Sequence, residues 1–223
     1  MPAQSTTYNS RSHPDLRAYT PAERRLIARL RTPAAVQRFL DETAYNTEPG
    51  RPTLKSFREV VRQKNVHCLE AALFAAAVLE HHGHPPLLLS FESVDKLDHV
   101  LFIFKQKGRW GAIARSRDPG LHGRRPVYGS LRALAASYMA PFIDFTGEIT
   151  GFAPYDLNDL KGCDWRFSPR NVWKLETTLL NIPHARLRWN KDRVKRQREW
   201  YRAWMKANPG KKPKEYASRP NWL

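Results

Sequence analysis

Cysteine is scarce in this chain, which has only Cys68 and Cys163 among its 223 residues. Two cysteines cannot form the several crosslinks of a disulfide-stabilised secreted domain, so we expect a reducing, cytoplasmic environment. Long apolar runs are missing too, since no segment approaches the roughly 18 consecutive apolar residues of a membrane-spanning helix. The polar first twenty residues lack the apolar segment of a secretory signal. We therefore expect a protein with no membrane span.

Motifs for nucleotides and metals are also absent from the sequence. The chain contains neither GxxxxGK[ST] nor GxGxxG, so no phosphate-binding loop is indicated. His81, His82 and His84 follow Cys68 at the end of a predicted helix, but their spacing matches no standard zinc site. We expect neither a metal nor any other cofactor.

Acidic residues are few relative to basic ones: 21 Asp and Glu stand against 38 Lys and Arg, a formal net charge of +17. Residues 184–223 hold 13 of these basic residues, three acids and four of the seven tryptophans. Within them, 192–207 predicts a helix with an aromatic stripe, ended by Pro209 and Gly210. Such a helix either docks its aromatic side on the body or binds nucleic acid or another polyanion, and both interpretations stay open.

The chain has enough apolar material for a core, because 41% of its residues are hydrophobic. Helices come first and a run of strands follows, an order that predicts an α+β fold. Thr20 and Glu23 form a capping-box pattern at the start of the first helix. We expect a flexible N-terminus over 1–19, one domain over 20–183, and a basic, Trp-rich helix and tail over 184–223.

The centre of this domain is predicted to be a buried helix followed by strands. Residues 67–82 are Ala-rich and apolar on nearly every side, which predicts a helix that is buried and ended by Gly83. The apolar segments 87–91, 99–105 and 110–116 predict strands, the last two forming an antiparallel hairpin. Beyond them we predict a loop over 117–129, a helix over 130–138, a strand-like segment over 142–145 and a helix over 170–180.

Cys68 lies in the first turn of the predicted buried helix. Free backbone N–H groups and the helix dipole at that end stabilise a thiolate, and the same N–H groups can stabilise an oxyanion. A single cysteine in an apolar helix is more often a small core residue. Position alone therefore leaves both a nucleophile and a packing residue open.

His99 opens an otherwise apolar strand and is a candidate base. If Lys107 and Gly108 form the hairpin turn, facing residues have numbers that add to 215, so His99 faces Ser116. Asp118 lies on the same face two residues later, within reach of a side chain. Either Asp118 or Ser116 could orient the imidazole, and a nucleophile, a base and an orienting group together make a catalytic triad.

Three residues before the cysteine are secondary candidates. Gln63 and Asn65 carry side-chain amides, which can donate hydrogen bonds to an oxyanion or simply be solvated. His67, next to the cysteine, could lower the pKa of the thiol or serve only as a polar residue at the helix start.

Two segments of the sequence resemble the transglutaminase-like superfamily. They are NVHCLEAALFAAAVLEHHGHPPLLLSFES and, after it, DHVLFIFKQKGRWGAIARSRDP, within a region of similarity over about 55–138. The resemblance implies a papain-like arrangement, in which a Cys-bearing helix packs on a small antiparallel sheet. The sequence pattern adds further helices at both ends. It also implies that Cys68 is the nucleophile, His99 the base and Asp118 the residue that orients it. The acid follows Trp110 at a longer spacing than is common in that superfamily, so Ser116 remains an alternative.

The implied activity is acyl transfer from a peptide or amide substrate, to water or to an amine. A cluster of arginines near the predicted site is either a solvated loop or a receiver of an acidic substrate; it comprises Arg115, Arg117, Arg124, Arg125 and Arg132. The alternative function is a non-catalytic scaffold of the same fold that binds nucleic acid or another polyanion through residues 184–223.

Overall fold

A computed structural model describes residues 13–94, 99–142, 148–211, 213 and 223. Its helices are α1 Pro21–Arg29, α2 Pro33–Glu42, α3 Phe57–Gln63, α4 Cys68–Leu79, α5 Leu131–Ala136, α6 Met139–Phe142, α7 Trp173–Asn181 and α8 Lys191–Ala207. Its strands are β1 Ala44–Tyr45, β2 Asn65–Val66, β3 Leu87–Ser93, β4 Val100–Gln106, β5 Arg109–Ile113, β6 Arg124–Tyr128, β7 Ile149–Asp156 and β8 Ala185–Arg186. The fold is α+β, as the order of segments in the sequence predicts.

Six of the strands form one open antiparallel sheet. Their order across the sheet is β6-β5-β4-β3-β7-β8, while β1 and β2 make a separate two-stranded parallel pair. β4 and β3 are therefore central, and both carry nearly continuous apolar sequence, as expected for strands that are covered on both faces. None of the helices in the described residues combines the length and apolar character needed to span a bilayer.

The sheet has a hydrophobic core on each face. Phe102 and Phe104 of β4 point into the core that contains α4, whereas Leu101 and Ile103 point into the opposite core. This division follows from the alternation of side chains along a strand. The first core includes residues of α1, α2 and α3, and the second includes residues of α5, α6 and the start of α8. Because other helices cover α4 on its far side, every residue of α4 from Leu69 to Leu79 is buried, as predicted.

Several helix ends match the sequence patterns. Thr20 and Glu23 make the reciprocal hydrogen bonds of a capping box at the start of α1. Thr32 caps α2, with Pro33 as its first residue. After α4 and a short 3-10 turn, Gly83 adopts a left-handed conformation with φ of 81°, which ends the helix at little steric cost. The ends predicted at Thr20 and Gly83 are thus confirmed, because a cap depends on residues only a few positions apart.

The β4–β5 hairpin has the predicted register only as far as its strands run. Gln106 pairs with Arg109, and the pairing continues to Phe102 and Ile113. The strand pairing stops there because the side chain of Gln37 hydrogen-bonds both the N–H and the C=O of Ala114. The Ala114 amide donates to Gln37 Oε1 at 3.0 Å, and Gln37 Nε2 donates to the Ala114 carbonyl at 2.9 Å.

The predicted extension of this pairing to His99 and Ser116 is therefore not observed. His99 instead precedes β4, and its carbonyl accepts a hydrogen bond from the Phe91 amide of β3 at 3.0 Å. The segment predicted as a loop over 117–129 contains β6. The segment predicted to be strand-like over 142–145 begins with the last residue of α6, and the rest lies outside the described residues.

Parts of both predicted terminal segments pack against the body. Tyr19, within the N-terminus that was expected to be flexible, is 2% exposed and donates a hydrogen bond to Glu80. At the other end, β8 pairs with β7, and the Trp189 indole donates to the Ile149 carbonyl at 2.6 Å. Val194, in the first turn of α8, is also buried. Residues 185–194 thus contribute to the second core.

Candidate active site

Cys68 is the first residue of α4 and is partly exposed to solvent. Its side chain lines a cleft of about 370 Å³ that runs between the start of α4 and the exposed side of α7. The walls of the cleft are mainly apolar and aromatic and include Tyr45, Leu54, Leu69, Val100, Trp173 and Leu180. The position of Cys68 in the sequence left open whether it is a core residue or a nucleophile. The structure shows that it is accessible from a cleft.

The Cys68 thiol has two imidazole neighbours. Burial of the thiol favours its neutral form, but hydrogen bonds and charge from His67 and His99 outweigh that effect and hold the pKa of Cys68 well below its usual value of 9.0. The N-terminus of α4 adds the positive end of a helix dipole at the same atom. The structure therefore provides the surroundings of a thiolate, which is the nucleophilic form of cysteine.

His99 is held from behind by a backbone carbonyl. It is 3% exposed, and its Nε2 lies 2.9 Å from the carbonyl oxygen of Leu121. Because a carbonyl can only accept, Nε2 carries the proton, and in the neutral ring Nδ1 keeps a lone pair. The rings of Phe91 and Tyr138 lie 6.2 and 6.0 Å from the imidazole between centroids. The hydrogen bond and these walls fix both the orientation and the tautomer of His99.

Asp118 and Ser116 shape the turn that presents this carbonyl. The Asp118 carbonyl accepts from the Leu121 amide at 2.9 Å, and the Asp118 amide donates to Ser116 Oγ at 3.1 Å. Arg124 supports the same turn by donating to the Gly120 carbonyl at 2.7 Å. The Leu121 carbonyl accepts the hydrogen bond from the His99 ring. That Asp118 orients His99 stays a prediction.

His67, at the N-cap of α4, is surrounded by hydrogen-bond acceptors. Its Nε2 lies 3.0 Å from the Thr53 carbonyl, 3.4 Å from Glu70 Oε1 and 4.0 Å from Glu48 Oε1. Burial lowers the pKa of an imidazole, but here the contact with Cys68, the charge of Glu70 and the bond to Thr53 prevail and raise the pKa of His67 to about 9. His67 is therefore cationic at neutral pH.

Glu70 is a buried carboxylate that the sequence analysis did not identify. It is fully buried, and it accepts hydrogen bonds from the backbone amides of Lys55 and His67 at 2.9 and 3.0 Å. Lys55 Nζ lies 3.3 Å from Glu70 Oε2, and side chains of Asn46 and Thr53 donate as well. The signal in the sequence was a carboxylate three residues after the N-cap of an otherwise apolar helix, which is a capping-box spacing.

The two amide side chains considered as oxyanion donors have other partners. Gln63 donates to Glu59 Oε2 at 3.0 Å on the surface, and the side-chain and backbone oxygens of Asn65 both accept from Lys55 Nζ. The backbone N–H groups of Cys68 and Leu69 lie in the first turn of α4, where a helix offers no carbonyl four residues earlier. They are the better placed donors for an oxyanion formed at Cys68.

The arginine cluster expected near the site is mostly used to hold the fold together. Arg115 donates to the backbone carbonyls of Thr43 and Ser116, at 3.3 and 3.0 Å. Arg124 is buried, and Arg132 donates to the Arg186 carbonyl. The acidic substrate that this cluster was thought to receive remains a prediction.

Tyr45 connects part of that cluster to the thiol. Burial and the charge of Cys68 raise the pKa of Tyr45 to about 12, against the opposing charges of Arg117 and Arg115. Arg115 lies over the Tyr45 ring, 5.8 Å from its centroid.

Cys163 provides an internal comparison for Cys68. Its burial and the neighbouring Asp164 raise the pKa of its thiol.

Within the residues that the structure describes, no three His, Cys, Asp or Glu side chains are grouped so that they could hold a metal ion. Comparison of the chain with protein-family models and with curated proteins gives no match. Function is therefore inferred from the site itself.

Proposed function

We propose that this protein is a cysteine acyl-transfer enzyme that acts on an amide or peptide bond. The observation that carries the proposal is Cys68, a partly exposed residue at the start of α4 and in the wall of a cleft, with two imidazole neighbours that favour its thiolate. The proposal is also supported by a Cys-bearing helix that packs on an antiparallel sheet, with His99 just before a central strand, because the resemblance of the sequence to the transglutaminase-like superfamily implies such an arrangement. Two free cysteines suit a reducing compartment such as the cytoplasm.

The proposed reaction begins when the Cys68 thiolate attacks the substrate carbonyl carbon and forms an S–C bond. The N–H groups of Cys68 and Leu69 stabilise the negative oxygen of the tetrahedral intermediate. The C–N bond then breaks, and His99, which begins the cycle protonated on both ring nitrogens, donates its Nδ1 proton to the leaving amine and becomes neutral. Water or another amine attacks the thioester, His99 takes a proton from it, and the S–C bond breaks to release the acyl product.

The lining of the cleft favours a particular kind of substrate. Most of its walls are apolar, so an apolar side chain next to the reactive carbonyl would be desolvated there. The charged side chains that line the cleft are of both signs, the carboxylates of Glu48 and Glu176 and the cationic His67, so they select neither an acidic nor a basic group. We therefore propose a peptide or amide with an apolar group beside the scissile bond.

A cysteine-directed peptidyl electrophile with an amide-like backbone tests the proposal. Labelling of Cys68, located by mass spectrometry, should be at least about tenfold faster at pH 7 than labelling of Cys163. Cys68→Ala should abolish labelling at that site, and His99→Ala should slow turnover of a peptide substrate by about 100-fold or more. Cys163→Ala is the matched control and should behave as wild type. Equal reactivity of the two cysteines would refute the proposal.

A second function is favoured by the exposed face of α8. Arg193, Arg196 and Lys206 are exposed on this helix, opposite the side that contains the buried Val194. We propose that this face binds nucleic acid or another polyanion. Binding of single-stranded RNA should weaken steeply with salt and should be lost when the three residues are changed together to Glu. Salt-independent binding, or binding unaffected by the substitutions, would exclude this function.

A further inference from the structure

We propose that His67 is a second imidazole partner of Cys68 that keeps the thiol ionised, and that Thr53 and Glu70 position its ring. This inference rests on the proposed function and assigns a separate task to each histidine. His67 holds the thiolate as a permanent cation, which leaves His99 free to carry protons to and from the substrate.

The surroundings of His67 suit a positively charged ring. A protonated imidazole has two N–H groups and no acceptor. It can therefore donate one N–H to the Thr53 carbonyl, 3.0 Å from Nε2, and still direct the other at the thiolate. The ring's other neighbours within 4.0 Å include oxygens of Glu70 and Glu48, both carboxylates. A neutral ring has a single N–H and could not donate both to these oxygens and to the thiolate.

Glu70 has more contacts than a carboxylate needs for capping a helix. It is completely buried, and Lys55 Nζ and the Lys55 amide both contact its carboxylate. A carboxylate removed from water stays ionised only when its oxygens are paired and hydrogen-bonded. The network therefore holds a fixed negative charge 3.4 Å from His67 Nε2.

The site as a whole carries several other groups that affect ionisation of the pair. The charged or titratable groups around the His67 ring and the thiol are Cys68, Glu70, Glu48, Tyr45 and His99. Lys55 acts through its contact with Glu70, and Arg115 and Arg117 act on Tyr45. His67 and His99 are the two imidazoles that lower the pKa of the thiol.

The other imidazole has a different environment and therefore a different task. His99 meets a neutral carbonyl, that of Leu121, at its Nε2. It can lose and regain a proton on Nδ1 without breaking that contact. With His67 as a constant counter-ion, Cys68 stays a thiolate even when His99 is neutral.

The test measures ionisation of the thiol without any substrate. Alkylation of Cys68 by iodoacetamide is followed by mass spectrometry from pH 4 to 10, with Cys163 as internal reference. In His67→Gln the half-maximal pH should rise by more than one unit, so the rate at a pH below the midpoint should fall at least about tenfold. His82→Gln is the matched control: its Nε2 also contacts a backbone carbonyl, that of Ile27 at 2.7 Å, but near the other end of α4. An unchanged profile in His67→Gln would overturn the proposal.

A second measurement keeps the proposal testable if His67→Gln does not fold. Nitrogen NMR of the imidazole rings should show one histidine in the wild type that titrates well above pH 6.5, and this titration should move down in Cys68→Ala. If no ring titrates above pH 7.5 in the wild type, the proposal is overturned. If Cys68 fails to form an acyl-enzyme while its alkylation still depends on His67, the enzymatic function fails and the His67 proposal stands.

Discussion

Replacing Lys55 by Met should destabilise the protein strongly, because it removes the counter-charge of a buried carboxylate. The side chains of Lys55 and Glu70 are 3% and 0% exposed, with Nζ 3.3 Å from Oε2. Breaking a buried ion pair by removing one partner costs about 3–5 kcal/mol. Donors from Asn46, Thr53 and the backbone remain on Glu70, so we expect the lower part of that range, about 3 kcal/mol.

Urea unfolding at pH 7, followed by fluorescence and by circular dichroism, measures this cost. A loss of about 3 kcal/mol corresponds to a fall in Tm of roughly 6–12 °C for a protein of this size. Lys195→Met is the matched control, because Lys195 forms an exposed pair with Glu199 at 4.0 Å and its loss should change stability little. A loss below about 1 kcal/mol for Lys55→Met would show that Glu70 does not depend on Lys55.

Two further predictions concern packing and pH. Gly111→Ala should cost about 1–3 kcal/mol in urea unfolding, because a Cβ there would lie 2.6 Å from Phe104 Cζ and 2.9 Å from the Arg124 carbonyl oxygen. Gly129→Ala meets only the end of the Arg109 side chain and serves as control; equal losses would contradict the steric explanation. Burial, followed by the charges of His13, His82 and Arg166, lowers the pKa of His81 to about 4. The unfolded chain therefore binds more protons than the folded one between about pH 6.5 and 4, so stability falls as the pH drops through that window. His81→Gln should lose less stability than wild type between pH 7 and 4.5, and an identical loss in both would refute the assignment.

Much of the helical part of the fold could be predicted because its signals are local. The caps at Thr20 and Thr32, the end of α4 at Gly83 and the turn at Lys107 and Gly108 each depend on residues within about four positions of one another. The burial of α4 followed from its composition, since a helix that is apolar on every side has no stable place at a surface.

The outer strands of the sheet were not predicted. β7 contains Gly151 and Pro154, which weaken a strand pattern, and it gains its stability from pairing with β3, some 60 residues earlier. β8 has two residues, which pair with Gly151 and Phe152. Among the described residues, the part of β7 that contains Pro154 has no neighbouring strand on that side, so the proline, which has no N–H to donate, lies at an edge of the sheet. Such pairings depend on which distant segment is available, and local propensity carries no information about that.

Local patterns along the chain were enough to predict that Cys68 begins a buried helix, that His99 leads an apolar strand and that the basic charge is concentrated near the C-terminus. Which groups surround the thiol depends instead on contacts between distant segments. Gln37 ends the β4–β5 pairing at Ala114, so the Leu121 carbonyl meets His99. Folding also brings Lys55 and Thr53 onto Glu70, across 15 and 17 residues, and so places a charged His67 beside the nucleophile. The physical reason is that hydrogen bonds and charges act over a few ångströms of space, whatever the distance along the chain.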